Sequence, residues 1–186
     1  MAQPKQTSDR ITTSAYLAGE NDGTWRHEFV TGRVFAMAGA SQRHNVVRLN
    51  VAGLLNAALG EPCQVFDGDM KLLIERQDDV RFYYPDVFVS CDPGHPEDHV
   101  CREAVLVIEV LSPSTARTDR YEKIAAYTSL PMLSEYALIE QDVPSVEVFR
   151  RRTGWLCEEF GPGASVSFES IGQTLSLEQI YRRVRF

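Results

Sequence analysis

Tyr84-Pro85-Asp86-Val87-Phe88-Val89 and, further along, Val105-Leu106-Val107-Ile108-Glu109-Val110 decide how this chain is read. Each places one carboxylate at an end of a nearly continuous apolar run. Such runs predict strands buried on both faces. A charged side chain in a buried strand is costly unless it is paired or bound to a metal. Asp86 follows a proline, which lacks a backbone donor and puts this strand start at an edge or a bend. Glu109 lies 23 residues on, after a loop long enough to return the second strand beside the first. Tyr121-Glu122-Lys123 then adds an ammonium on what reads as the following helix.

Outward from these runs the pattern alternates between helix and strand periods. Thr12 or Thr13 can cap a short helix to about Gly19. Trp25–Val30 and Arg33–Ala38, joined at Thr31-Gly32, read as a hairpin. Val47, Val51, Leu54, Leu55, Ala58 and Leu59 follow helical spacing, with Ser41 as N-cap and Gly60 as the stop. Strands are expected at Cys63–Asp67, Met70–Glu75 and Phe82–Ser90, with turns at Asp67-Gly68 and Gln77-Asp78-Asp79. Residues 91–103 read as a polar loop and Ala104–Leu111 as a buried strand. Ser112-Pro113-Ser114 breaks that strand, and Ser114 or Thr115 caps a helix to about Ser129. Strands follow at Glu135–Ile139 and Val146–Arg150, the latter pairing with Trp155–Phe160, and a short helix starts at Ser176. There is no internal repeat, linker or low-complexity tract, so residues 1–186 read as a single α/β domain.

The 186 residues, 44% of them hydrophobic, suffice for a substantial core. No apolar run is long enough to cross a membrane, and Met1–Ser8 lacks an apolar signal core. The expected compartment is therefore the cytoplasm. Cys63, Cys91, Cys101 and Cys157 show no CxxC spacing and are expected as free thiols in a reducing environment. A net charge of −7 argues against a protein that coats nucleic acid but not against an enzyme acting on it. Arg150-Arg151-Arg152 and Arg182-Arg183-Val184-Arg185 are either phosphate-holding patches or a solvated strand end and tail.

If the two acid-bearing strands are neighbours, Asp86 and Glu109 converge on one oxygen-preferring cation. Mg²⁺ or Mn²⁺ suits one or two carboxylates completed by waters and substrate phosphate, with the Val110 carbonyl as a further ligand. Such a metal polarises a phosphoryl oxygen and activates water, and Lys123 then stabilises the developing charge or positions that water. The competing structural reading has Asp86 capping a turn, Glu109 paired with an arginine, and Lys123 paired with Asp119 at i, i+4.

The chain resembles the Uma-two family, bacterial proteins taken to be restriction endonucleases and a branch of the PD-(D/E)XK nuclease superfamily. The resemblance runs from about Trp25 to Phe160. It rests on His27-Glu28-Phe29-Val30-Thr31-Gly32, Gly39-Ala40-Ser41 with His44, and Tyr84-Pro85-Asp86. It rests also on Ile108 through Thr115, then Asp119-Arg120, Lys123 and Tyr127. It implies a restriction-endonuclease-like fold, a mixed central sheet flanked by helices. It implies a metal-dependent nuclease acting on nucleic acid, DNA first among the choices, and a homodimer by analogy with restriction enzymes. The superfamily's usual lysine, two residues after the acid, is replaced here by Leu111, and the resemblance assigns its role to Lys123. It also suggests Glu28 as an additional metal ligand.

Other readings stay open. His44 either contacts a phosphate or water, or serves as a cap or core residue. Ser112, Ser114 and Thr115 either receive a phosphate or cap the helix. Ser112 is not a hydrolase nucleophile, because no GxSxG elbow surrounds it. Cys91, His95, His99 and Cys101 form a zinc-type ligand set at a non-standard spacing. The alternative to a nuclease is a non-catalytic binding or scaffold module with the same fold. A third reading is a hydrolase of small phosphate esters.

Overall fold

Alternation along the two acid-bearing strands sets the layers of the molecule. The structure is a computed structural model describing residues 10–23, 25–37, 39–77 and 79–186. The expectations about Met1–Ser8, Ala38 and Asp78 lie outside the described residues. In chain order the elements begin with α1 (Thr13–Asp22), β1 (His27–Val30), β2 (Arg33–Ala36), α2 (Gln42–Ala58), β3 (Gln64–Asp67), β4 (Lys71–Arg76) and β5 (Asp79–Tyr83). Then follow β6 (Val87–Ser90), β7 (Val100–Cys101), β8 (Leu106–Leu111), a π-turn (Thr118–Lys123) and α3 (Ile124–Tyr127). The chain closes with β9 (Glu135–Glu140), β10 (Val146–Arg150), β11 (Cys157–Phe160), β12 (Ser165–Phe168), β13 (Gln173–Ser176) and α4 (Leu177–Ile180).

The six-stranded sheet runs β11-β10-β9-β8-β6-β3 and is mixed, since β8 and β9 are parallel and the other pairs antiparallel. A second sheet, β2-β1-β5-β4-β7, and the hairpin β12-β13 stand apart from it in pairing. The expected mixed α/β sheet with flanking helices is present, although the strands divide between two larger sheets rather than one. On β8, Leu106, Ile108 and Val110 face α2 and the C-terminal hairpin, packing with Val47, Val51 and Leu55. Val107 and Leu111 face the other way, toward β4, β5 and α3, among Leu72, Tyr83 and Tyr127. Glu109 shares that second face because side chains alternate along a strand.

Several expectations change. Phe82–Ser90, read as one strand, is two: β5 ends at Tyr83, β6 starts at Val87, and they belong to different sheets. Pro85 withholds a ladder donor and restricts Tyr84 before it, so the chain leaves one sheet and enters the other there. The loop 91–103 contains the short β7, and the hairpin β12-β13 went unread. Cys63 and Cys91, expected as free thiols, form a disulfide. They extend the paired ends of β3 and β6, where Gln64 lies opposite Ser90, so the register puts them face to face. Cys101 and Cys157 are free. The bridge removes Cys91 from the zinc set. Cys101 donates to the Glu103 carbonyl, and no metal-binding group of His, Cys, Asp and Glu is found among the described residues.

The arginine triplet turns out to be structural. Arg150 is buried and donates to Glu135 and to the Ser167 carbonyl, Arg151 donates to the Leu130 and Leu133 carbonyls, and Arg152 pairs with Glu169. These contacts tie β10 to the segment carrying β12. At the other end of the chain, α1 is capped by Thr12 and lays Tyr16 on Phe29, Leu73 and Phe82 of the five-stranded sheet. The β1-β2 hairpin turns through Thr31 and Gly32, both at positive φ, 45° and 86°. That is the geometry matching a right-handed twist in a two-residue hairpin.

Candidate active site

Asp86 and Glu109 meet because β6 and β8 are antiparallel neighbours with Val87 opposite Ile108. One step beyond that pair, the two acids lie across from each other. They are locked reciprocally: the Asp86 amide donates to Glu109 Oε2 at 3.2 Å, and the Val110 amide donates to Asp86 Oδ2 at 2.8 Å. His44 sits one turn into α2, where Ser41 caps the helix by accepting from its amide at 3.1 Å. Its Nε2 reaches Asp86 Oδ2 at 3.1 Å, and its buried Nδ1 has no hydrogen-bond partner among the described residues.

The π-turn brings the lysine inward. Lys123 Nζ lies 3.0 Å from Glu28 Oε1, 3.1 Å from Glu109 Oε1 and 3.3 Å from Asp119 Oδ1. Single π-turns within helices recur at functional sites, where the extra residue re-aims side chains. Glu28 comes from β1 on the early hairpin. Tyr127, on α3, donates to Glu109 Oε1 at 3.0 Å. Asp119 Oδ1 is buried and close to the ammonium, yet it accepts no hydrogen bond.

The electrostatics follow from this crowding. Burial pushes the Glu109 carboxyl up to about 8; Lys123 opposes the shift, and Asp119, Asp86 and Glu28 reinforce it. Burial likewise raises Glu28 against the pull of Lys123. For Lys123, burial lowers the ammonium, but Glu109, Glu28 and Asp119 outweigh it and hold the group well above its ordinary value. Lys123 is therefore a fixed cation and not a base. Burial and Glu109 also hold Tyr127 in its neutral form.

The site unites Asp86, Glu109, Lys123 and Glu28, the four side chains singled out in the sequence, with the Val110 backbone between them. It adds Asp119 and Tyr127, which the sequence offered only as an i, i+4 partner and as part of the family pattern. The structural pairing of Lys123 with Asp119 is also present, so that reading and the functional one coexist. Ser112, Ser114 and Thr115 bond to one another through their hydroxyls.

The donor set suits a hard divalent cation: carboxylate oxygens, a peptide carbonyl and an unbonded buried carboxylate oxygen on Asp119. Four acids face one lysine and one histidine, a surplus that a dication balances. No group of three or more His, Cys, Asp or Glu placed to hold a metal is found among the described residues, here as elsewhere. Mg²⁺ does not require one, since it keeps waters and takes one or two carboxylates.

Residues 14–179 match the family model Uma2, described as "Putative restriction endonuclease". The chain belongs to this family. Two uncharacterized proteins of Synechocystis are similar to it along almost their whole length. One is 29% identical over 98% of this chain and 97% of its own. The other is 32% identical over 87% of this chain and 94% of its own. Among solved structures, a protein from Anabaena variabilis described as a putative nuclease superposes with a TM-score of 0.73 at 18% identity. The match covers 92% of this chain and 97% of that one, so the Uma2 chain shares its fold. No helix among the described residues is long and apolar enough to cross a membrane.

Proposed function

We propose that this Uma2 protein is a Mg²⁺- or Mn²⁺-dependent nuclease that hydrolyses phosphodiester bonds of nucleic acid, with DNA as its substrate. The observation that carries this reading is the register-opposed pair Asp86 and Glu109, with Lys123 held 3.1 Å from Glu109. Asp86, Glu109 and the Val110 carbonyl would hold the metal, with Glu28 completing the shell. When bound, the metal supplies Lewis-acid polarisation of the phosphoryl oxygen and an activated water. Lys123 presents a permanent positive charge where negative charge develops on the phosphoryl group. His44 and the Val110 amide fix the Asp86 carboxylate. Tyr127 and the Asp86 amide fix Glu109.

A symmetric homodimer would let two such sites address two strands, as restriction enzymes do. Its place of work would be the cytoplasm. In that reducing compartment the Cys63–Cys91 pair would be exposed to thiol exchange.

The non-catalytic alternative rests on one observation: Lys123 lies within ion-pair distance of three acids at once. Cleavage of supercoiled plasmid and single-stranded oligonucleotides in Mn²⁺ or Mg²⁺ decides between them. The nuclease reading expects cleavage by the parent and none by Asp86→Ala or Lys123→Ala. Cleavage that survives Asp86→Ala would remove the proposed site. No Mn²⁺ binding, or binding indifferent to Glu109→Ala, would favour the scaffold.

A further inference from the structure

Lys71 is the most unusual cation outside the carboxylate site. It is the first residue of β4, and the residue is only 5% exposed. Among the described residues its ammonium makes no hydrogen bond and no ion pair. Its identifiable neighbour is the face of Tyr84, with Nζ 5.4 Å from the ring centroid. A cation–π contact satisfies the charge only in part, so the ammonium can still take an anion.

The nearby acid is already engaged. Glu20 Oε1 contacts His27 Nδ1 at 2.9 Å, and Oε2 accepts from the Tyr84 hydroxyl at 2.6 Å and the His27 amide at 3.2 Å. A second cation instead approaches the same ring: Arg26 Cζ lies 6.0 Å from the Tyr84 centroid. Among the described residues Arg26 has one ion pair, at 3.4 Å to Asp69, whose side chain is 80% exposed. Such a solvent-screened contact is readily exchanged for a better acceptor. Burial pushes the Lys71 ammonium down, Glu20 opposes this and Arg26 adds to it. Two cations thus converge on one aromatic ring in a chain whose acids outnumber its bases, 26 to 19.

The position of the pair gives it a use. The β4–β5 register sets Leu72 opposite Tyr83 and, one step on, Lys71 opposite Tyr84. Tyr84 precedes Asp86 by two residues, so their Cα atoms are no more than about 7 Å apart. We infer that Lys71 and Arg26 form an anion subsite, with Tyr84 as its floor, that takes a backbone phosphate flanking the one cleaved at Asp86. This rests on the nuclease reading for the identity of the ligand. The substrate phosphate supplies the counter-charge that Lys71 lacks among the described residues.

The test is binding of a fluorescein-labelled single-stranded DNA oligonucleotide in Ca²⁺ across a salt series, by the parent, Lys71→Met, Lys71→Arg and Arg26→Gln. The expected result is a loss of about tenfold in affinity for Lys71→Met. Its log–log salt slope should fall by about 0.7, the value for one phosphate contact on a single strand. Lys71→Arg should bind like the parent, Arg26→Gln should lose less than Lys71→Met, and Lys71→Met should melt no lower than the parent. An unchanged slope in Lys71→Met overturns the subsite, as does a parent that binds no oligonucleotide. A Lys71→Met that melts lower and loses affinity without a slope change would mark Lys71 as structural and overturn it equally. A parent that cleaves DNA while Lys71→Met binds normally refutes the subsite alone. An oligonucleotide held through Lys71 but never cut refutes the nuclease reading alone.

Discussion

Replacing Glu109 by Gln should make the metal-free protein more stable at alkaline pH while destroying its capacity for metal. Burial holds the Glu109 carboxyl at about 8 in the fold, against an ordinary value of 4.5. Its folded pKa is raised, so between these values the native state binds more protons than the unfolded chain. Stability contributed by the neutral acid is therefore present at low pH and lost as pH rises through 8. Keeping Glu109 neutral in the fold costs little near pH 5.5, where the unfolded chain is only starting to gain from ionising, and the penalty grows by on the order of 3 kcal/mol by pH 8.5.

Gln avoids that cost but places an amide where Glu109 accepts from the Asp86 amide, Lys123 and Tyr127. The mismatch costs about 1–3 kcal/mol at either pH. The difference between parent and Glu109→Gln should therefore move by about 3 kcal/mol in favour of the variant between pH 5.5 and 8.5. With a urea m-value near 2 kcal/mol/M, that is a relative midpoint shift of about 1.5 M in EDTA. A difference that stays flat with pH would refute the claim that Glu109 is held neutral by its surroundings.

Lys123→Met should destabilise the fold by about 3–5 kcal/mol at pH 8, because Glu28, Glu109 and Asp119 lose their shared cation; denaturation beside a plasmid-cleavage assay checks both stability and activity. Arg150→Ala should cost about 3 kcal/mol, the low end for a broken buried pair, because Glu135 loses its cation but keeps the Glu169 and Ser170 donors, with cleavage retained in the folded fraction; urea melts with activity measured below the midpoint test this. Cys63→Ser/Cys91→Ser should lose up to about 3.6 kcal/mol, the loop-closure value for a separation of 28 residues, and its melting should no longer respond to reductant.

What the sequence made legible, and what it hid, follows from signal length. β8 announces itself because six buried residues in a row are apolar except Glu109, and an acid there demands a partner. The helix α2 is legible from its 3.6-residue spacing, with Val47, Val51 and Leu55 all buried as that spacing requires. By contrast, β12 and β13 are four residues each, too short for alternation to rise above a polar turn-rich background. The π-turn was illegible because one extra residue per turn barely alters a helical pattern. Pro85 signals an edge or a bend in the sequence, but the exchange of sheets there is a tertiary outcome. Asp86 and Glu109 were identifiable from the cost of burying charge. Glu28 depended on how the hairpin folds over the site, which no local spacing encodes. Lys71 escaped because a lysine at a strand start ordinarily reads as exposed.

The lysine's location has a physical rationale. Position 111, where a strand lysine would stand, is 1% exposed and packed with Tyr127 and Tyr136. An ammonium there would lose its hydration among rings, whereas Lys123 enters beside three carboxylates. Lys123 and an incoming dication then compete for Glu109, and the proton on Glu109 decides how that competition is seen. At pH 7 a carboxyl with a pKa of about 8 is mostly protonated in the metal-free site, and a metal binds only its ionised form. Mn²⁺ binding at pH 7 should therefore release protons, and the release should fall as the pH is raised past 8. Calorimetry in buffers of different ionisation enthalpy measures this release directly. Glu109→Gln should release none. Mn²⁺ that binds the parent at pH 7 without proton release would occupy some other site, and Glu109 could then no longer be argued to hold the metal.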